Sequence, residues 1–156
     1  MLLETLGAGA IAVAWWGIQK WWDNRAARGQ ARRGELRKKI DDVKRQVQLI
    51  ETDAHQYFSM NAVDPLAVAL ERKIHTGLTQ VANSAHDIDC ALPQANAGRG
   101  HRLFKQAITL GDFQSAQRKA RTPQDALLDE ISAKARAFES SLEIAFRAEF
   151  DDDMRR

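Results

Sequence analysis

The chain has 156 residues, of which 28% are charged and 44% are hydrophobic, values typical of one folded domain with a short appendage. Its single cysteine, Cys90, excludes an intrachain disulfide, and the three prolines and nine glycines favour a helical protein. The formal net charge of +2 hides an asymmetry, because ten Lys or Arg stand against four Asp or Glu between Lys20 and Arg45.

The sequence predicts a single transmembrane helix over residues 1–23. Only Glu4 and Lys20 are charged between Leu2 and Trp22, although the stretch is rich in Ala and Gly and therefore only weakly hydrophobic. As a helix it spans about 31 Å, close to the roughly 30 Å hydrocarbon core of a bilayer. All four tryptophans lie in this segment, and the last pair would sit at the headgroup level, where amphipathic rings are preferred.

Three other interpretations of this segment are a cleaved signal peptide, an interfacial amphipathic helix and a buried helix of a soluble core. A signal peptide needs a basic start, whereas the first four residues, MLLE, are acidic. An interfacial helix needs a polar face, which the stretch from Gly7 to Ile18 lacks. A membrane anchor is therefore the preferred interpretation.

A basic stem is expected over residues 24–35, either as a hinge or as a continuing helix. By the positive-inside rule its arginines place the rest of the chain in the cytoplasm, which predicts a single-pass protein of the bacterial inner membrane. Each Lys or Arg near an anionic membrane surface contributes about 1 kcal/mol to binding, so lipid is favoured over nucleic acid as the partner, and DNA is not expected. The residues predicted to meet lipid headgroups are Trp21, Trp22, Arg25, Arg28, Arg32 and Arg33.

Two stripes of residues predict self-association. The small-residue stripe, formed by Gly7, Ala10, Ala14 and Gly17, lies on one helix face and permits the close backbone approach that drives association in lipid. The heptad stripe, formed by Leu36, Ile40, Val43, Val47 and Ile50, continues to Ala54 and Tyr57. Its alternating spacing of four and three is typical of either a coiled-coil seam between copies or the buried face of a long bundle helix.

The remaining sequence predicts an all-α bundle over residues 36–150, with a frayed tail over residues 151–156. Asp64-Pro65 is a helix start, and Pro93 closes the apolar stripe that follows it. A loop, a short helix broken at Gly111 and a further turn or two over residues 113–120 come next. A last long helix is expected to start at Thr122-Pro123. Three long helices and one short broken helix suggest an up-down bundle.

The sequence contains no pattern that predicts catalysis. There is no metalloprotease, nucleophile-elbow or phosphate-loop motif, and His86 and Cys90, four residues apart near a helix end, are more typical of solvated helix surface than of a catalytic or metal site. We therefore expect a protein that is not an enzyme and that needs neither a cofactor nor a metal.

A basic group of residues is the more suggestive feature of the bundle. One part of the group lies at a glycine-containing loop and in the short helix that follows it, and the other part lies at the end of the predicted turns over residues 113–120. A fold that brings these two parts together would bind an anion or a nucleotide. Ordinary surface charge is the alternative. The residues are Arg99, His101, Arg102, Lys105, Arg118, Lys119 and Arg121.

The layout of span, basic stem and helical domain resembles that of the small membrane-anchored effectors of prokaryotic antiviral systems, including those that sense cyclic oligonucleotides. The resemblance implies a protein that self-associates, binds a signal with its cytoplasmic domain and acts on the inner membrane. The first hypothesis is accordingly a non-enzymatic effector or sensor that couples a cytoplasmic signal to the membrane. The alternatives are a structural tether or accessory subunit that pairs with a partner protein's helix, and a nucleotide-gated assembly that perturbs the membrane.

Overall fold

The computed structural model describes residues 4–151, and it describes the side chains of residues 29–150. Within these residues the chain is helical and contains no strand, which confirms the all-α fold class. The four helices are α1 (Glu4–Phe58), α2 (Pro65–Ala91), α3 (Ala97–Thr109) and α4 (Ala126–Asp151), and a 3-10 turn (Pro93–Ala95) lies between α2 and α3.

None of the helices within residues 4–151 contains a stretch that is long and apolar enough to count as a membrane span. This finding does not support the transmembrane helix predicted over residues 1–23. The side chains of the small-residue stripe, of Trp21, Trp22, Arg25 and Arg28 lie outside the described part of the chain.

The chain divides into two compact units, Met1–Glu35 and Leu36–Arg156. In the first unit, α1 is helical from Glu4 onward without a break. Gly29 and Gly34 are both helical, and a Cβ atom added to either would meet nothing within 4 Å. The basic stem is therefore helical.

In the second unit, α1 runs antiparallel to both α2 and α4. Near the end of α1, Asp53 accepts a hydrogen bond of 2.8 Å from Lys73, which lies early in α2. Nearer the N-terminus of α1, Arg37 donates to both carboxylate oxygens of Glu143 at 3.0 Å, and Glu143 lies late in α4. The hydrogen bonds from the Nη1 atom of Arg37 hold the pKa of Glu143 below its ordinary value.

Helix α3 lies antiparallel to α2 and α4 and completes the up-down bundle. The ring of His101 lies 2.9 Å from the carbonyl oxygen of Leu78 in the middle of α2. Gly100 faces Phe138 of α4 so closely that an added Cβ would lie 2.4 Å from the ring. Glycine is therefore required at this position for α3 to approach α4.

The heptad stripe lies in the core of this bundle. Leu36, Ile40, Val43, Val47 and Ile50 are each between 0% and 4% exposed, together with apolar residues of α2, α3 and α4. The spacing allowed either a coiled-coil seam between copies or the buried face of a long bundle helix. In this fold the stripe is the buried face of a bundle helix. Because other helices of the same chain cover these five side chains, they do not offer a surface to a second copy in this fold.

The starts of α2 and α4 follow capping rules, with one difference from the sequence prediction. Asp64 accepts a hydrogen bond of 2.9 Å from the Leu66 amide, and Pro65 occupies the first helical position of α2, as expected. Helix α4 instead begins at Ala126, because Asp125 and not Thr122 receives the capping hydrogen bond, from the Leu127 amide at 2.9 Å. Pro123 lies in the turn before it.

The segment of residues 110–125, here called the closing segment, contains no helix. The predicted helical turns over residues 113–120 are thus wrong. Gly111 and Gln114 have positive φ angles of 85° and 65°, which stop helical propagation. The backbone of the segment pairs instead with the α1–α2 turn, since the carbonyl of Arg118 accepts from Ala62 and the Arg121 amide donates to Phe58.

Candidate functional site

The basic residues of α3 lie on its solvent side. Arg99, Arg102 and Lys105 are exposed and follow one another at intervals of three, so they share one face of the helix. They form no ion pair with any described residue, and their charge is therefore available to a ligand.

His101 belongs to the helix packing and not to this charged face. Its half-buried ring lies against the Leu78 carbonyl, an arrangement that places the proton of the neutral ring on Nε2. Burial lowers the pKa of His101 below 6.5, and the charge of Lys105 adds to the effect. The ring is consequently neutral at pH 7 and connects α3 to α2.

The second part of the predicted basic group lies in the closing segment, and its members differ in their surroundings. Arg121 contacts Asp112 at 2.8 Å and both carboxylate oxygens of Asp125 at 3.1 Å, so its charge is already balanced within the chain. Lys119 is exposed. Arg118 is only 4% exposed. Among the described residues, no hydrogen bond, ion pair or ring contact joins these three to the basic residues of α3, so the seven residues do not form one pocket.

Arg118 lies flat against the aromatic end of α1. The guanidinium carbon is 3.5 Å from the centre of the Tyr57 ring and 5.9 Å from that of Phe58. This short distance is typical of a cation stacked on an aromatic face. The Tyr57 hydroxyl in turn accepts a hydrogen bond of 3.1 Å from the Gln114 amide, which fixes the closing segment over the ring.

A cavity of about 100 Å³ lies beside the Arg118 side chain, and its polar lining comes from Tyr57, Glu71, Gln114 and Ser115. The Nε and Nη1 atoms of Arg118 are buried and have no hydrogen-bond acceptor among the described residues. The charge pattern of the sequence indicates Arg118, and the heptad spacing places Tyr57 in the core face of α1. Neither pattern includes Glu71, Gln114 or Ser115. No local pattern marks these residues, since they meet only in the folded chain.

A groove of about 170 Å³ lies between α3 and α4. Its floor is Phe138 with the partly exposed Leu103, and Arg99 and Lys134 stand on either helix beside it. Two cations beside an apolar, aromatic floor suit a ligand that combines a flat or apolar part with negative charge.

A second groove, of about 360 Å³, lies between α1 and α2. Leu49, Ile50 and Gly77 form its apolar part, and the ion pair of Asp53 with Lys73 stands in its wall. The acid and the base neutralise each other here, so this groove suits an apolar group better than an anion.

The pair of His86 and Cys90 is exposed, and the sulfur lies 3.8 Å from the His86 Nε2 atom. No group of three or more possible metal ligands occurs within the described part of the chain. The pair therefore lies on a solvated face of α2.

Comparison with protein-family models, with curated proteins and with solved structures gives no significant match for this chain.

Proposed function

We propose that the protein is a non-enzymatic membrane protein whose N-terminal helical region attaches to the bacterial inner membrane and whose helical bundle acts in the cytoplasm as an effector or sensor. The anchor is the apolar segment over residues 1–23, and the basic stem over residues 24–35 holds anionic headgroups. The bundle over residues 36–150 receives the signal or partner, as in the antiviral effectors that the layout resembles.

The continuity of α1 carries this proposal. One helix runs from Glu4 to Phe58, so the apolar segment, the tryptophan pairs, the arginines and the core stripe follow one another on a single element. A ligand that changes the packing of the bundle part of α1 therefore acts on the same helix that holds the proposed anchor. Its weak hydropathy fits a span that packs against other copies, because small residues drive association in lipid.

Vesicle flotation of the full chain tests the membrane attachment. We expect the wild-type chain to float with vesicles of phosphatidylcholine and phosphatidylglycerol. Replacement of Arg25, Arg28, Arg32 and Arg33 by Gln should weaken binding to anionic vesicles by about a thousandfold, since each arginine contributes about 1 kcal/mol. Replacement of Trp21 and Trp22 by Ser should weaken binding to neutral vesicles as well.

The matched control is the pair Arg99→Gln and Arg102→Gln, which removes two exposed charges from the bundle and should leave flotation unchanged. A wild-type chain that stays in the soluble fraction without detergent, and that does not float, would refute the proposal.

A nucleotide-gated assembly is the second candidate, and the exposed cations of α3, which form no ion pair with any described residue, favour it. Arg99 and Lys134 flank the aromatic floor of the α3–α4 groove, and Arg102 and Lys105 continue the positive face. Cyclic oligonucleotides should bind the full chain, and Arg99→Ala with Arg102→Ala should abolish that binding. Binding of cyclic nucleotides or RNA that survives this double substitution would exclude the groove as the site.

A further inference from the structure

We propose that Arg118 and the cavity beside it bind a small oxyanion, namely a phosphate or carboxylate group. This inference goes beyond the proposed function and does not rest on it, because every residue involved belongs to the second unit. The evidence is a buried guanidinium whose Nε and Nη1 atoms meet no acceptor among the described residues.

An arginine in this position is costly without a further partner. Removal of a charged group from water costs several kcal/mol unless hydrogen bonds and an opposite charge compensate. The Tyr57 ring covers one face of the guanidinium, but stacking does not satisfy the donors that point outward in the guanidinium plane. In-plane N–H groups are the donors with which an arginine binds the oxygens of a carboxylate or phosphate.

The size of the cavity limits the ligand. A volume of about 100 Å³ accommodates a group of a few heavy atoms but is too small for a drug-sized molecule, which needs at least about 300 Å³. The Ser115 hydroxyl and the Gln114 side chain supply further polar atoms in the lining. The ligand is thus a free small anion or the charged end of a larger molecule whose remainder stays outside.

Glu71 lines the same cavity and is the natural competitor of such an anion. Its carboxylate accepts a hydrogen bond of 3.0 Å from the Gln114 Nε2 atom and forms no ion pair with Arg118. Since two negative charges within one small cavity repel each other, Glu71 should weaken anion binding. Glu71→Gln keeps an oxygen to accept from Gln114 and should tighten binding, by about tenfold.

Thermal unfolding of the full chain in one detergent tests the site. Inorganic phosphate and acetate are titrated against sodium chloride at constant ionic strength, because a ligand that binds the folded state raises the unfolding midpoint. We expect phosphate or acetate to raise the midpoint of the wild-type chain and chloride to leave it unchanged. Glu71→Gln should show the same rise at about tenfold lower anion concentration, and Arg118→Gln should show none.

Two further measurements identify the source of the anion and test whether the effect is specific to Arg118. A short-chain phosphatidic acid that raises the midpoint where inorganic phosphate does not would assign the site to a lipid headgroup. Lys119→Gln removes the neighbouring exposed charge and should respond like the wild type. If Arg118→Gln does not fold, Glu71→Gln decides alone. The proposal would be overturned if phosphate, acetate and phosphatidic acid all left the unfolding midpoint unchanged in both the wild type and Glu71→Gln. A rise of the midpoint that persists in Arg118→Gln would overturn it as well.

Discussion

Asp53 and Arg118 are the two charged side chains that are buried among the described residues, at 7% and 4% exposed. Asp53 meets the ammonium group of Lys73 at 2.8 Å, so its charge is paired. Arg118 meets an aromatic face and none of the described acidic side chains. Similar burial therefore has different consequences at the two positions. The charge of Asp53 is stabilised by its partner within the chain, whereas the charge of Arg118 is left for a ligand to compensate.

His101 should make the folded chain less stable at acidic pH. Burial lowers the pKa of His101 in the folded state, so the unfolded chain binds a proton at a higher pH than the folded chain does. The contribution of the neutral ring is complete above the unfolded pKa of about 6.5 and is lost as the pH falls below it. Urea unfolding at pH 7.5 and pH 5.0 measures this loss.

The control for this pH effect is His101→Gln, which keeps a side-chain N–H for the Leu78 carbonyl and does not titrate. The free energy of unfolding of this variant should fall less between the two pH values than that of the wild type. Equal losses in both proteins would show that His101 does not contribute.

Gly100→Ala should destabilise the bundle by about 1–3 kcal/mol, because the new Cβ would lie 2.4 Å from the buried Phe138 ring. Gly34→Ala is the matched control in an exposed helix, where an added Cβ meets nothing within 4 Å and alanine should stabilise by up to about 1 kcal/mol. Chemical denaturation of both variants measures the two changes. A Gly100→Ala chain as stable as the wild type would contradict the close approach of α3 and α4.

At the scale of the elements, α3 depends on a cap that comes from another helix. The two carboxylate oxygens of Asp89 in α2 accept from the Ala97 amide at 2.6 Å and from the Gly98 amide at 2.8 Å. An isolated helix of 13 residues is marginal in water, so the satisfaction of its first amides matters. The carboxylate also complements the positive end of the helix dipole.

Asp89→Ala should therefore cost about 1–2 kcal/mol of stability and increase amide hydrogen exchange in α3. Asp87→Ala, which removes an exposed carboxylate two residues earlier, should change stability by no more than about 0.5 kcal/mol and should leave amide exchange in α3 unchanged. Equal exchange of α3 amides in both variants would disprove the capping role.

Elements whose ends are set by local chemistry were predictable from the sequence. The start of α2 at Asp64-Pro65 and its close before Pro93 follow from capping and from the missing proline N–H. The closing segment was not predictable in this way, because, besides its local turns, two of its backbone hydrogen bonds are made with Phe58 and Ala62, far away in the sequence. A helical pattern over residues 113–120 loses to these long-range bonds.

The candidate site was predictable only in its charges. A basic count identifies Arg118 and Arg121, but it does not show that Asp112 and Asp125 balance one of them while Tyr57 stacks on the other. These partners come from α1 and from the two ends of the closing segment. Only the fold determines which arginine is left without an acid.

At the scale of the whole molecule, the heptad stripe shows why a helical pattern does not determine oligomeric state. Spacings of four and three place apolar residues on one helix face whether another chain or the same chain covers that face. Here the fold of the same chain covers Ile40 and Val47, both 0% exposed and part of one core with apolar residues of the other helices. Self-association, as proposed, depends instead on the small-residue stripe.

Two sets of substitutions separate these roles. Ala10→Leu with Gly17→Leu places bulky side chains on the small-residue stripe and should reduce the mass of the full chain in detergent to that of a monomer, because close backbone approach is lost. The bundle should unfold at the wild-type midpoint. Ile40→Ala removes buried atoms from the core and should lower stability by about 2–5 kcal/mol with the oligomeric mass unchanged.

Light scattering in detergent and thermal unfolding measure the two properties on the same samples. A core substitution weakens the fold of each copy, whereas a substitution on the stripe weakens the contact between copies, so the two effects should not appear together in one variant. If Ile40→Ala dissociated a stable oligomer while its unfolding midpoint stayed at the wild-type value, the heptad stripe would have to lie between chains. The internal bundle would then be the wrong arrangement for the assembled protein, and the small-residue stripe would lose its proposed role.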